Sequence, residues 1–291
     1  MGVMFRSEAG RQKVADWHER FRAKIPVETS ARRVATSLGE THVLSAGPEN
    51  APPLVALHGA LASSAHMLGE LGPLLDKFRV HSVDVLGQSV MSADVRPPVA
   101  GNAYGIWLSE VMDALSLPRA HVLGVSWGGF AALRLAAHAP ARIDRLALLV
   151  PAGMVASPAM DGLFKVGLPM MMYRAFPSPA RLERFLRHLL TTHGDDWTGY
   201  LGDAFLSYTL DMRVPPLATV EELAGFTGPA LVIAADQDCQ FPGAPILKRA
   251  PELLKGLKDS ELLKQSNHCP PTTDEFRRWL SQRLATFLTS S

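Results

Sequence analysis

The fold is most clearly indicated by residues 120–139, which read AHVLGVSWGGFAALRLAAHA. Residues 120–125 are typical of a buried strand, and residues 129–139 are typical of a helix. Between them lies Gly124-Val125-Ser126-Trp127-Gly128, a G-x-S-x-G pattern. A serine in a sharp strand-to-helix turn is held out for nucleophilic attack, and flanking glycines allow the close backbone approach that the turn needs. We therefore predict that Ser126 is a nucleophile and not merely a serine that caps a helix.

The rest of the chain alternates short apolar runs with amphipathic stretches, which predicts a mostly parallel sheet with helices on both faces. The predicted strands are 54–57, 80–85, 143–150, 230–235 and 261–264, and the predicted helices are 11–25, 64–78, 104–115, 245–254 and 274–288. Near the start, residues 33–38 and 41–46 are expected to pair as a hairpin over Gly39-Glu40.

The alternation stops between residues 152 and 225, a stretch that is rich in Met and aromatic residues and has no clear strand. We interpret it as a helical cap inserted into the main fold. The predicted organisation is a helical arm over residues 1–30, an α/β core over 31–151 and 226–291, and the cap over 152–225. A chain of 291 residues is long enough for one such domain.

A serine nucleophile needs a base and an orienting acid, and in this kind of sheet both follow the serine along the chain, acid first. His268 follows the last predicted strand and is the predicted base. Two acids, Asp236 and Asp238, lie in the loop after strand 230–235. We favour Asp238 because it lies deeper in that loop, and Asp236 stays open. Asp84 ends another strand but is interpreted as part of a structural turn.

The developing oxyanion needs two backbone N–H donors. The residue after the nucleophile, Trp127, supplies one, and Ala60, in the loop after strand 54–57, is predicted to supply the other. His58 in that loop is interpreted as structural. An apolar substrate pocket is expected between core and cap. Its predicted lining is Leu61, Met154, Met170, Met171 and Phe241.

Composition excludes several classes of partner. There are 29 Lys and Arg residues against 28 Asp and Glu, and this balance predicts no attraction to nucleic acid or to an anionic membrane. No apolar run approaches the ~20 residues of a membrane span. The first ten residues lack the apolar run of a signal peptide, and two cysteines form no disulfide framework, so we expect a cytoplasmic protein. A homodimer stays open.

These motifs resemble the α/β-hydrolase superfamily, because the His58-Gly59 loop, the segment 84–89, the serine turn and the loops of Asp238 and His268 occur in the order of that family. Within it, residues 39–43, GETHV, and 47–55, GPENAPPLV, are similar to bacterial carboxylesterases of the naproxen-esterase type. The chain departs from the family at Ala235 and Asn267, where glycine is usual. Cys239 and Cys269 each follow a predicted triad residue, so a disulfide between them stays open.

The resemblance implies a serine esterase with a helical cap, acting without metal or other cofactor on a small apolar ester. The same triad would also serve a C–C bond hydrolase, a perhydrolase or a proline iminopeptidase. An iminopeptidase would need acidic cap residues for the substrate amine, and Asp195-Asp196 or Glu221-Glu222 are the candidates. The alternative to an enzyme is a protein that uses the same scaffold to bind a small ligand without catalysis.

Overall fold

The centre of the fold is an eight-stranded sheet. The computed structural model describes residues 4–290, apart from the side chain of Asp161. The strands are β1 Thr29–Val34, β2 Thr41–Ala46, β3 Pro53–Leu57, β4 Arg79–Val83, β5 Ala120–Val125, β6 Ile143–Leu149, β7 Ala230–Ala235 and β8 Leu257–Leu263. Their spatial order is β1-β2-β4-β3-β5-β6-β7-β8. Strand β2 pairs antiparallel with both β1 and β4, and all pairs among β3 to β8 are parallel. The predicted α/β class is confirmed.

Helices cover both faces of this sheet. They are α1 Glu8–Arg22, α2 Ser64–Glu70, α3 Ala103–Ala114, α4 Trp127–His138, α9 Gly243–Leu253 and α10 Asp274–Thr289. Side chains of β3 alternate between two core clusters, because successive residues of a strand point to opposite faces. Leu54 and Ala56 belong to the cluster with α1, α2 and α10, whereas Val55 and Leu57 belong to the cluster with α3, α4 and α9. Such burial on both faces explains the continuous apolar runs.

The segment between β6 and β7 contains the cap helices. They are α5 Ala159–Asp161, α6 Leu168–Ala175, α7 Pro179–Leu186 and α8 Asp196–Ser207, with a π-helical turn over Gly162–Gly167. Residues 209–225 contain turns but neither helix nor strand, so the prediction of helix up to residue 225 is wrong for that part. Five prolines and glycines within 215–229 limit helix formation there. The domain boundaries stay a prediction, and residues 1–3 of the predicted arm lie outside the described residues.

The observed bounds of several predicted elements differ from the prediction, among them those of helix α1, which is Glu8–Arg22 and not 11–25. Strand β1 is Thr29–Val34 and not 33–38, because Gly39 and Thr36 bond to each other across a turn that takes residues 36–39 out of the sheet. Helix α2 ends at Glu70, since Gly72-Pro73 follows and proline cannot donate in a continuing helix. Strand β8 begins at Leu257, earlier than predicted.

No helix within residues 4–290 has the length and apolarity to cross a membrane.

Candidate active site

Ser126 lies between β5 and α4 in a strained turn. Its φ is 50°, which places a non-glycine residue in the left-handed region. A Cβ on Gly124 would lie 2.6 Å from the carbonyl oxygen of Gly128, and a Cβ on Gly128 would lie 2.2 Å from that of Leu57. The turn therefore requires both glycines, as the sequence predicted.

Two hydrogen bonds join the three residues of the predicted triad. Ser126 Oγ lies 2.9 Å from His268 Nε2, and His268 Nδ1 lies 2.8 Å from Asp238 Oδ2. A carboxylate only accepts, so Nδ1 carries the proton and Nε2 accepts from the serine hydroxyl. The imidazole thus has the tautomer that a general base for Ser126 needs.

The environment of Asp238 decides between the two candidate acids. Its buried carboxylate accepts the N–H of Gln240 at 2.7 Å and of Phe241 at 2.9 Å through Oδ1, which leaves Oδ2 for His268. Asp236 is exposed and accepts the N–H of Ser266 at 3.2 Å. Asp238 therefore lies where the orienting acid is predicted, and that catalytic role stays a prediction. Asp236 instead tethers Ser266, in the loop that precedes His268.

The cap holds the His268 loop from the other side. The Cys269 N–H donates to the Leu189 carbonyl at 2.8 Å, and the Asn267 side-chain amide donates to the Leu190 carbonyl at 2.7 Å. Asn267, a departure from the family pattern, thus supplies a donor that glycine lacks. Sequence reasoning missed this contact, because nothing in the spacing relates residue 190 to residue 267.

His58 supports the loop that follows β3. It is buried, its Nδ1–H donates to the Gly59 carbonyl at 2.7 Å, and its Nε2 accepts the Val85 N–H at 3.0 Å. Burial lowers the pKa of His58, so the ring is neutral and keeps both roles. The interpretation of His58 as structural is confirmed.

The loop after His58 runs close to Ser126, since a Cβ on Gly59 would lie 3.3 Å from Ser126 Cβ. The Gly59 carbonyl also accepts the Ala62 N–H at 3.3 Å. In a trans peptide, N–H and C=O point in opposite directions, so holding the Gly59 carbonyl fixes the direction of the Ala60 N–H. Trp127 begins α4, where N–H groups have no acceptor within the helix. Both donor roles stay predictions.

Asp84 lies in a buried polar network beneath this loop. It accepts hydrogen bonds from His42 Nδ1 at 2.6 Å, from the Ser64 N–H at 2.8 Å and from the Ser89 hydroxyl at 2.6 Å. Burial alone would raise the pKa of Asp84, but the bond from His42 and the neighbouring histidines hold it well below its usual range. Asp84 is thus an ionised anchor of the turn that follows β4, as predicted.

The predicted pocket residues have different environments. Phe241 is half-buried, with its ring centroid 5.4 Å from that of His268, and Leu61 is half-buried beside Ala60. Met170 packs partly buried on the core, and Met171 is 50% exposed. Met154 is wrong as a pocket residue, because it is fully buried in the cluster with Phe130 and exposes no surface.

Two further features lie outside the triad. Cys239 and Cys269 are free thiols, so the disulfide left open by the sequence is not formed. Burial raises the pKa of the Cys269 thiol to about 12, which makes it a poor nucleophile at neutral pH. A surface cavity of about 540 Å³ lined by Arg96, Asp211, Met212 and Arg213 contains no triad residue.

A serine, a histidine and a carboxylate that meet at the ends of parallel strands define a hydrolase-like site. The sequence pattern of the alpha/beta hydrolase fold family matches residues 52–207, more than half of the chain. The chain therefore belongs to the α/β-hydrolase fold family.

Bacterial esterases are among the proteins that this chain resembles. Carboxylesterase YbfK of Bacillus subtilis strain 168 is 27% identical over 271 residues, which cover 90% of this chain and 89% of YbfK. The uncharacterized carboxylesterase nap of the same strain is 26% identical, over 84% and 82% of the two chains. The crystal structure of naproxen esterase (carboxylesterase NP) from Bacillus subtilis superposes with a TM-score of 0.81 at 21% identity, over 97% of this chain and 99% of that one. The predicted resemblance is confirmed.

Proposed function

We propose that this protein is a serine esterase that hydrolyses carboxylic esters of small to medium apolar substrates. The observation that carries the proposal is the continuous path from Ser126 Oγ through His268 to Asp238, with distances of 2.9 and 2.8 Å. The names of two relatives that match most of the chain, both carboxylesterases, support the same reaction.

The proposed reaction has two halves. Ser126 Oγ attacks the ester carbonyl while His268 Nε2 takes its proton, and Asp238 stabilises the imidazolium. The tetrahedral oxyanion accepts the N–H groups of Trp127 and Ala60. The intermediate collapses, His268 protonates the leaving alcohol, and an acyl-Ser126 ester remains. Water, deprotonated by His268, then attacks this ester, and the acid leaves as Ser126 regains its proton.

The substrate class is inferred from three residues of the predicted pocket. Phe241 and Leu61 are apolar and half-buried, and Met170 belongs to the cap helix α6. Such a lining favours an apolar acyl or alcohol group over a charged one. Three of the four acidic residues that an iminopeptidase could use are engaged elsewhere: Asp195 caps α8, Asp196 pairs with Lys24, and Glu222 pairs with Arg134.

A fluorophosphonate probe tests the nucleophile. We expect covalent labelling of the wild type at Ser126 and none in Ser126→Ala, together with hydrolysis of p-nitrophenyl esters whose rate depends on acyl chain length. A folded wild type that neither labels nor hydrolyses any ester of the series would favour the alternative of a binding protein.

The two aspartates provide a matched pair of variants. Asp238→Asn removes the charge that holds the Nδ1–H tautomer, and the corresponding change in a serine protease lowers kcat about 10⁴-fold. We expect a loss of this order for Asp238→Asn and little change in kcat for Asp236→Asn. The reverse result would reassign the acid to Asp236.

We also propose a cytoplasmic location, which the two free thiols support because reducing compartments keep cysteines unpaired. Fractionation of the source cells would test it, with the protein expected among cytoplasmic markers. Recovery with envelope or secreted fractions would contradict it.

A further inference from the structure

The loop Gly59–Ser63 contains a strained residue. The Ala62 N–H bonds back to the Gly59 carbonyl, which closes a four-residue turn, and Leu61 at its third position has a φ of 59°. Turns with positive φ at that position usually carry Gly or Asn. A leucine stays in this conformation only where surrounding contacts hold it.

Tyr200 of the cap helix α8 supplies one such contact. Its hydroxyl donates a hydrogen bond to the Leu61 carbonyl, although 139 residues separate the two positions. The Tyr200 ring is buried and packs against His66 at a centroid distance of 4.2 Å, with Phe21 and Trp17 of α1 at 6.0 and 6.2 Å. Burial raises the pKa of Tyr200 far above its usual value, so the hydroxyl remains a donor.

The far end of the loop is held by two histidines. The Ser63 hydroxyl bridges His18 Nδ1 at 3.0 Å and His66 Nδ1 at 2.7 Å. His58 holds the near end through the Gly59 carbonyl. With both ends anchored, any change in φ at Leu61 must be taken up within residues 59–62, which include the Ala60 N–H.

We propose that Tyr200 is a positioning residue for the oxyanion site: its hydroxyl keeps Leu61 in the left-handed conformation and thereby aims the Ala60 N–H at the substrate oxygen. This inference rests on the proposed function. Through Tyr200 and the α1 residues that pack on it, the cap and the N-terminal helix become part of the catalytic geometry. Tyr200 itself does not contact the reacting atoms.

Tyr200→Phe tests the proposal, because it keeps the ring and removes only the hydroxyl. Loss of an oxyanion donor typically lowers kcat by 10²–10³-fold. A donor that is misaimed but still present should cost less, and we expect roughly a 10- to 100-fold fall in kcat with KM changed by less than about threefold. A trifluoromethyl ketone, whose adduct with Ser126 carries an oxyanion, should lose affinity in parallel, whereas the product acid should not.

Tyr173→Phe is the matched control. The buried Tyr173 hydroxyl also donates from the cap to a backbone carbonyl, that of Gly202 at 3.2 Å, but this bond lies within the cap. We expect its kcat to stay within about twofold of the wild type. An equal fall in kcat for both variants would mean that the cap loosens in general and would overturn the proposal.

Leu61→Asn provides a rescue, because asparagine adopts positive φ more readily than leucine. Measured against Leu61→Asn alone, adding Tyr200→Phe should cost clearly less in kcat than it costs in the wild type. Equal costs in the two backgrounds, or an unchanged kcat in Tyr200→Phe, would overturn the role of Tyr200 while leaving the esterase proposal intact. Absence of labelling and hydrolysis in the wild type would instead reject the esterase proposal itself.

Discussion

The two segments that flank the Ser126 hydroxyl are supported in different ways. The elbow, residues 124–128, is held by its own glycines and by the adjacent strand β6, whose Leu149 carbonyl accepts the Ser126 N–H at 3.0 Å. The loop of residues 58–63 is held by Tyr200 from the cap and by His18 from α1. One segment is therefore shaped by local sequence and the other by residues far along the chain.

This difference has a consequence for substitutions. Changes within the elbow should damage folding and activity together, since its backbone is packed against β3. Changes at the remote supports of the loop should reduce catalysis more than stability. Variants of the loop supports that lose stability but keep kcat, or elbow variants that lose activity at full stability, would contradict this difference.

Gly128→Ala should have the largest effect. Its Cβ would lie 2.2 Å from the carbonyl oxygen and 2.6 Å from the carbonyl carbon of Leu57, which are backbone atoms of β3. Overpacking typically costs 1–3 kcal/mol, and a clash with two backbone atoms should cost roughly 3 kcal/mol or more. We expect loss of labelling at Ser126 and a marked fall in the urea midpoint. Gly69→Ala is the control, since no atom lies within 4 Å of its Cβ, and it should leave both unchanged or slightly raise stability.

The same distinction explains how much the sequence predicts. Strand β5 and the predicted triad could be found from the sequence, because their motifs are short or depend only on the order of residues along the chain. Both segments around Ser126 contain such motifs. Tyr200 and His18 carry no motif, because their role arises only when α8 and α1 pack beside the loop. The prediction of Met154 as a pocket residue is wrong for a related reason. The sequence of a cap segment does not indicate whether an apolar residue faces the pocket or the core.

His58→Ala should have the next largest effect. It removes the donor to the Gly59 carbonyl and leaves the buried Val85 N–H without its acceptor. One unpaired buried group costs about 1–3 kcal/mol, and the cavity adds to it, so we expect roughly 2–4 kcal/mol less stability by urea unfolding and a lower kcat. His138→Ala, an exposed histidine at the end of α4, should change neither. A stable and fully active His58→Ala would show that the loop does not depend on this support.

Glu222→Gln tests whether the elbow also depends on a remote support. Arg134 of α4 is buried and donates to both carboxylate oxygens of Glu222 at 2.9 Å. Removing the charge leaves a buried guanidinium without its counterion, which is costly, but the Glu222 side chain is 39% exposed and water offsets part of the cost. We expect a loss of roughly 1–3 kcal/mol with kcat preserved. The exposed pair Arg249–Glu252 gives the control, and Glu252→Gln should be near neutral. A large fall in kcat in folded Glu222→Gln would mean that the elbow, like the loop, is positioned from outside.

The smallest effect concerns pH. Burial and the charges of Arg79 and Arg32 lower the pKa of His81 on β4 to about 4, from 6.5 in the unfolded chain. Between these values the unfolded state binds more protons, so the stability that His81 contributes is present above pH 6.5 and is lost as the pH falls toward 4.

For His81 this linkage should reduce the free energy of unfolding by about 1 kcal/mol between pH 7 and 5.5. His81→Gln should remove that part of the slope, and the exposed control His193→Gln should not. The slope that remains in His81→Gln then belongs largely to the other buried histidines, and burial lowers the pKa of His18, His58 and His66, all of which support the loop. As the pH falls, the loop of residues 58–63 should therefore lose stability before the elbow does, because the five residues of the elbow include no histidine. If the stability of His81→Gln did not change between pH 7 and 5.5, the expected contribution of the loop histidines would be contradicted.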